Sequence, residues 1–358
     1  MLGHEVLVAC TEEFVPTAVG AGLPATSTGP AARFADLAAD DRPGRDRPGQ
    51  RAAHGRVFGQ MAVRALPGML PVVEDWQPDL VVHERAEFAG PIAAYVAGAP
   101  LVELHWGASP MPEYRAEATR VLRRRLEAVG LDALPAPVEV VNPWPPSLRP
   151  GYAGRHASLR AVPQYNGAAP LPDWLLRLRP TRRICFTLGT VVPRTGRNQV
   201  TGTVPDIIDA LSTLDAEVVV AVDGRVAAAW PPLPPAVGHV GRLPLAQVFT
   251  ACDVVVHHGG QGTTLTALGA ELPQLLLPVF DDQFDNADAV VRAGAGLRLL
   301  PDELTPRAVA DHCAVLLDDP AYRRHAEVIA TEIATQPTPV AVAGYLITIA
   351  ERTGRLAA

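Results

Sequence analysis

The chain has no apolar run long enough to span a membrane, no basic and apolar leader at its start, and only four cysteines in 358 residues. Cys10, Cys185, Cys252 and Cys313 stand far apart with no Cys-x-x-Cys pair. That spacing excludes a zinc ribbon and a disulfide framework, and fits buried thiols in a reducing compartment. Charge is also scarce. Charged residues make up 19% of the chain and the balance is −7, so neither a nucleic acid nor an anionic membrane surface is expected as a partner. Without a span or a leader, the expected location is the cytoplasm. There is no Asp-x-Asp and no histidine cluster at ligand spacing, so no metal is expected. Apolar residues, by contrast, are plentiful at 48%. The length suffices for two domains of ordinary size, each with its own core.

Strand and helix patterns alternate along both halves. In the first, Glu5–Cys10, Leu80–His83 and Pro100–His105 read as strands. Phe14–Ala21, Pro91–Ala97 and the Arg- and Glu-rich 112–129 read as helices. Residues 40–50, with two Pro-Gly pairs and no periodicity, read as a loop, and 51–75 as a helix interrupted near Pro67 and Pro71. A proline-rich stretch covers 134–150. In the second half, strands are predicted at Ile184–Thr187, Glu217–Val222, His239–Val240, 253–257 and Gln274–Pro278. Helices are predicted at Pro205–Leu214, Leu245–Thr250, 286–294, across most of 305–335, and at 338–353. Such alternation implies an α/β chain with two parallel, Rossmann-like sheets, whose ligands sit beyond the carboxyl ends of the strands.

One stretch is especially informative: Asp253-Val-Val-Val-His257-His258-Gly259-Gly260-Gln261-Gly262-Thr263-Thr264. Three β-branched residues predict a buried strand, and the apolar spacing after Thr264 predicts a helix. A strand that passes through glycines into a helix leaves backbone N–H groups free at the helix N-terminus, where the dipole also favours an anion such as a diphosphate. His258 can donate one hydrogen bond to such a group as a neutral ring. Gly259 and Gly260 let the backbone approach the phosphates, and Gly262 and Thr263 add N–H and O–H donors. His257 is expected to face the strand side and pack.

The same motif continues into Pro273-Gln-Leu-Leu-Leu-Pro278-Val-Phe-Asp281-Asp282-Gln283-Phe-Asp285-Asn286-Ala287. Together they resemble the donor-binding half of inverting GT-B glycosyltransferases, the bacterial macrolide and polyketide glycosyltransferases in particular. The match extends to Phe186–Thr190, to Gly241-Arg242-Leu243-Pro244 and to Pro78–Val82, and covers nearly the whole chain. The resemblance implies an acceptor-binding Rossmann-like domain at 1–165, a linker at 166–180, a nucleotide-sugar-binding domain at 181–337, and a last helix at 338–358 crossing back to the first domain. The chain starts where the family's second strand starts, so its N-terminal domain is expected to lack the first strand and helix, and with them the loop carrying the histidine base.

By this resemblance, the substrate pair is a TDP- or UDP-sugar and a small hydrophobic aglycone, and no cofactor is needed. A P450-like helper protein, as some relatives use, and a homodimer are further partners it allows. Thr187, Gly189 and Thr190 would face the diphosphate and sugar. Asp282 and Gln283 would hold the sugar hydroxyls, and Asn286 would cap a helix. Arg242 stands where relatives place an aromatic ring; it would stack on the base, and Leu243 would offer its backbone. Glu84 matches the carboxylate that orients the missing histidine, while His83 and His105, at strand ends, read first as packed or solvent-facing histidines, with a substitute base reaching the acceptor cleft as the alternative. The activity expected is transfer of a deoxyhexose to a hydroxyl. The alternatives are a nucleotide-sugar-binding accessory protein without a base, and a nucleotide-sugar 2-epimerase.

Overall fold

The computed structural model describes residues 3–38, 46–163, 171–176, 181–190, 192 and 199–352. The N-terminal half runs β1 (Val8–Cys10), α1 (Val15–Gly20), β2 (Ala25–Ser27), α2 (Phe34–Ala38), α3 (Arg47–Trp76), β3 (Val81–Glu84), α4 (Ala89–Ala97), β4 (Leu101–Leu104), α5 (Pro112–Ala128), β5 (Glu139–Asn142) and β6 (Ala157–Ser158). The second half opens with β7 (Arg182–Thr187), α6 (Gln199–Gly202), α7 (Val204–Leu211), β8 (Ala216–Ala221), α8 (Gly224–Ala227), β9 (Val237–Gly241) and α9 (Leu245–Phe249). It continues with β10 (Val254–His257), α10 (Gln261–Gly269), β11 (Gln274–Leu276), α11 (Asp282–Arg292), β12 (Gly296–Arg298), α12 (Pro306–Asp318), α13 (Ala321–Thr335) and α14 (Pro339–Arg352). No single described helix is long and apolar enough to cross a membrane.

Among the described residues every strand pairing is parallel. The second half forms one sheet in the order β12-β11-β10-β7-β8-β9. This doubly wound order reverses between β7 and β10, and the crevice beyond the carboxyl ends of those two strands is where such sheets bind ligands. Both faces of the sheet are covered, which explains the unbroken Val254-Val255-Val256 run. Ile184, Phe186, Val218, Val220, Val254 and Val256 pack on one side, under α7 and α12. Cys185, Val219 and Val255 alternate to the other, against Phe249 and Ala267. All four cysteines are free, and three of them are buried.

The strands of the first half fall into a β1-β2 pair and a separate sheet in the order β3-β4-β5-β6. Glycines set the packing around them. An added Cβ at Gly55 or Gly59 of α3 would sit 2.8 Å from the Tyr114 Cα and 3.0 Å from the Ala118 Cα of α5, so the two helix backbones touch. The C-terminal helix α14 lies on the other face of this sheet, where Val342 and Leu346 pack on Val102 and Val141 and the Tyr345 hydroxyl donates to Glu139 at 2.5 Å.

Two expectations about α3 are corrected. The helix begins at Arg47, inside the stretch read as a loop, because the Asp46 side chain caps it by accepting from the Gly49 N–H. It also runs through Pro67 and Pro71 without interruption. The prolines are four residues apart and both exposed, so their rings lie on the outer side of the helix and disturb no core packing. The remaining residues of the 40–50 loop, and most of the 166–180 linker, lie outside the described residues.

Candidate functional site

At the reversal point of the second sheet, β7 ends at Thr187 directly beside His257, the last residue of β10. The loops that follow meet around His258. An added Cβ on Gly189 would lie 2.6 Å from its Cε1, and one on Gly260 only 2.4 Å from its Nε2. The imidazole is thus gripped between two glycines from facing loops, and one of them, Gly189, has the positive φ (+66°) that glycine adopts freely. The ring is buried and its Nδ1 has no hydrogen-bond partner. Burial lowers its pKa to about 4, so it is neutral near pH 7 and has one N–H to give. Thr187 supports the facing loop by accepting the Gly189 N–H on its hydroxyl at 3.2 Å, and Thr190 is exposed beyond it.

His257 packs, as its place on the strand requires. Its Nε2 donates to Gln274 Oε1 at 2.7 Å, and its Nδ1 accepts from the Gly259 N–H at 3.1 Å. Burial and the neighbouring His258 push its pKa down to about 3. Gly259, at φ +83°, turns the chain so closely over Gln283 that a Cβ would come within 3.0 Å of that residue's carbonyl. After Gly260, the backbone enters α10. The first intrahelical bond runs from the Thr264 N–H to the Gly260 carbonyl, so the N–H groups of Gln261, Gly262 and Thr263 have no intrahelical acceptor. With the helix dipole behind them and a neutral imidazole beside them, they can bind a diphosphate.

Asp282 and Gln283 open α11, and both are buried. The Gln283 side-chain oxygen accepts the Val279 N–H at 2.9 Å and the Phe280 N–H at 3.3 Å. Burial raises the Asp282 carboxyl to about 6, against the hydrogen bond it accepts from Asn286. Asn286 corrects the expectation of a helix cap. It sits inside α11, fully buried, and its amide donates to Asp282 Oδ2 at 2.7 Å and to the Gly259 carbonyl at 2.9 Å. Its oxygen accepts the Ala108 N–H at 2.8 Å. It therefore binds three segments together, one of them from the N-terminal half.

Further out, Arg242 is exposed and donates to Asp223 Oδ2 at 2.7 Å, and Leu243 packs against the core cluster around Val219 and Phe249. On the acceptor side, the Glu84 carboxylate accepts the Trp106 indole N–H at 2.6 Å and the Ala86 N–H. Neither donor is a histidine. His83 is buried, with its Nδ1 on the Glu87 carbonyl at 2.9 Å.

Several contacts that close the cleft escaped the reading of the chain. Residues 47, 51 and 54 share one face of α3 at helical spacing. Arg47 lies over the Phe284 ring at 4.1 Å, Arg51 pairs with Asp285, and His54 meets Asp281 at 2.5 Å. Asp281, in a left-handed backbone conformation (φ +50°), also accepts the Tyr114 hydroxyl at 2.8 Å. Gln261 Oε1 accepts the Gly107 N–H and the Trp144 indole N–H, each at 2.7 Å. Trp144, from the proline-rich stretch, is fully buried with Ala108 and Leu148 against Leu265, Leu268 and Ala287. The spacing of Arg47, Arg51 and His54 was the available signal, but it is lost when the first turn of α3 is read as a loop.

Comparison with known proteins agrees with this geometry. Residues 1–189 match the family model "Erythromycin biosynthesis protein CIII-like, N-terminal domain", and residues 205–349 match its C-terminal counterpart. The chain belongs to the erythromycin biosynthesis protein CIII-like family. This CIII-like chain is 38% identical to the L-demethylnoviosyl transferase of Streptomyces niveus, over 95% of its own length and 89% of the relative's. It superposes on the Streptomyces sp. SF2575 glycosyltransferase SsfS6, solved with thymidine diphosphate, with a TM-score of 0.83 at 33% identity, over 97% of this chain and 92% of that one. The spinosyn rhamnosyltransferase SpnG, solved with the spinosyn aglycone, gives 0.83 at 31% identity, over 96% and 92%. The CIII-like chain is therefore a glycosyltransferase of the GT-B fold.

Proposed function

We propose that this glycosyltransferase moves a deoxyhexose, with inversion, from a thymidine diphosphate sugar to a hydroxyl of a polyketide or macrolide-like aglycone. The observation that carries the reading is the paired-glycine grip on His258 at the free N-terminus of α10, a neutral donor set aimed at a leaving diphosphate. The relatives support the substrate class: one is named for demethylnoviosyl transfer, another was solved with thymidine diphosphate, and a third with the spinosyn aglycone.

In this reading, the acceptor oxygen attacks C1 of the sugar, and the bond from C1 to the diphosphate oxygen breaks. The leaving diphosphate keeps the electron pair and gathers negative charge, which the N–H groups of Gln261, Gly262 and Thr263 and the His258 ring stabilise. Thr187, Gly189 and Thr190 line the facing side. Asp282 takes the sugar hydroxyls with its free oxygen, and Gln283 with its amide nitrogen.

Calorimetric titration with TDP, with UDP and GDP as controls, tests the donor side. TDP is expected to bind most tightly. The His258→Ala variant is expected to lose about 10- to 100-fold in TDP affinity, as removal of one hydrogen bond to a charged group implies. Unchanged TDP affinity in this variant would refute the reading.

A further inference from the structure

The side chain of Asn286 is committed at both ends. Its two N–H groups go to Asp282 Oδ2 at 2.7 Å and to the Gly259 carbonyl at 2.9 Å, and its oxygen takes the Ala108 N–H at 2.8 Å. The amide cannot turn over, because its oxygen would then face a carbonyl and a carboxylate, and its nitrogen an N–H. With the residue fully buried, each of these partners is costly to leave unpaired. Asp282 stands one turn before Asn286 on α11, so the bond between them joins neighbours on one helix face. It fixes one oxygen of the carboxylate and leaves the other: among the described residues, no other side chain donates to Oδ1. The Ala108 turn also presses on Asp282 directly, since a Cβ on Gly107 would lie 2.9 Å from the Asp282 Cβ and 3.3 Å from its Oδ2. Gln283 is fixed in the same manner. Its oxygen is taken by two backbone N–H groups, which leaves the amide nitrogen for a ligand.

We propose that Asn286 is a positioning residue for the donor sugar: it holds the Asp282 carboxylate with Oδ1 turned to the sugar hydroxyls, and it does so only while the 107–108 turn of the N-terminal half is seated on α11. This rests on the donor reading above, in which Asp282 takes those hydroxyls. The amide has no other acceptable orientation, so the seating of the turn and the aim of the carboxylate are one arrangement. If the turn lifts away, the Asn286 oxygen loses its donor, and the side chain that orients Asp282 is held at one end only. The same bond favours the ionised carboxylate, which accepts from hydroxyls, against the burial that favours the protonated form. A nucleoside diphosphate alone meets the N-terminus of α10 and His258 and makes no demand on Asp282. A nucleotide sugar makes demands on both. Asn286 therefore acts on recognition of the sugar and leaves recognition of the diphosphate largely to the α10 loop.

The test is calorimetric titration of the full chain with TDP and with TDP-glucose. Asn286→Ala is expected to weaken TDP-glucose about tenfold more than it weakens TDP, as loss of one well-placed hydrogen bond to a charged group implies. The TDP binding it keeps shows that its donor loops have folded. Should Asn286→Ala fail to fold, Asn286→Leu, which fills the same space without a donor or an acceptor, carries the same comparison. Asp282→Asn is expected to show the selective loss as well, and the double variant no more of it than Asp282→Asn alone, because Asn286 acts through Asp282. A residue that only packs would weaken both ligands alike, and its effect would add to that of Asp282→Asn; either result would overturn the proposal. So would a parent that binds TDP but not TDP-glucose. A parent that binds neither would instead refute the donor reading, and this role of Asn286 with it.

Discussion

Asn286→Ala should destabilise the protein by about 4 kcal/mol at pH 7. The residue is fully buried and makes three hydrogen bonds, two donated and one accepted. Truncation leaves the Ala108 N–H and the Gly259 carbonyl without this partner. It also takes from the buried Asp282 carboxylate the donor that holds its pKa down. A typical buried hydrogen bond contributes about 1 kcal/mol and one to a charged group about 1.5–3 kcal/mol, and an orphaned buried group costs more than the bond itself. The size of the effect should depend on pH. Without Asn286, the Asp282 carboxyl rises further above about 6, so acidifying to pH 5 protonates it and recovers part of the loss. Urea unfolding at pH 7 and pH 5, followed by tryptophan fluorescence, measures both. A loss under about 1 kcal/mol at pH 7, or a loss that grows on acidification, would refute the account.

Gly189→Ala places a methyl 2.6 Å from the His258 ring in a left-handed backbone. It should weaken TDP binding at least tenfold by calorimetry, whereas Gly269→Ala, at the open far end of the same donor helix, should leave it unchanged; equal effects would remove the grip on His258 as the cause. Acid should also destabilise the fold. His257 and His258 have folded pKa values of about 3 and about 4, below the unfolded value of about 6.5, so their contribution is complete above pH 6.5 and is lost as pH falls. Asp282, raised to about 6, acts in the opposite sense: its contribution is complete below about pH 4 and is lost as pH rises through 6. The net loss between pH 6.5 and 4 is about 3 kcal/mol. In Asp282→Asn the opposing contribution is gone, so denaturation midpoints should fall more steeply over that range; the same slope in both proteins would contradict the assignment.

The strand–helix junction at the candidate donor site was legible in the sequence because it is local. Val254–Val256, the glycines at 259, 260 and 262, and the turn into α10 are contiguous, and hydrophobic period and glycine placement alone put them at a strand–helix junction. The acceptor side and the closure of the cleft depend on pairings between distant residues, which one sequence does not show. Nothing near Asn286 announces Ala108, and nothing near Gln261 announces Trp144. Very short strands such as β2, β6 and β12 have too few residues to display a period. The continuous α3 is not legible because proline usually breaks a helix, and the packing against α5 and α4 that holds this one straight is a tertiary fact. The partners of His105, Glu103 apart, come from the loop around Tyr152, which nothing near His105 in the sequence announces.

The ties that close the cleft have a consequence for engineering. Arg47, Arg51, His54, Gly107, Ala108, Tyr114 and Trp144 all end on Gln261 or on residues 281–286. Exchange of the C-terminal half, the proposed donor half, with that of a relative would therefore cut through a matched set of contacts. A chimera that carried its own α3 face, 107–108 turn and Trp144 along with the new donor half would keep the seam intact. One joined simply at the linker would inherit mismatched partners on both sides of it.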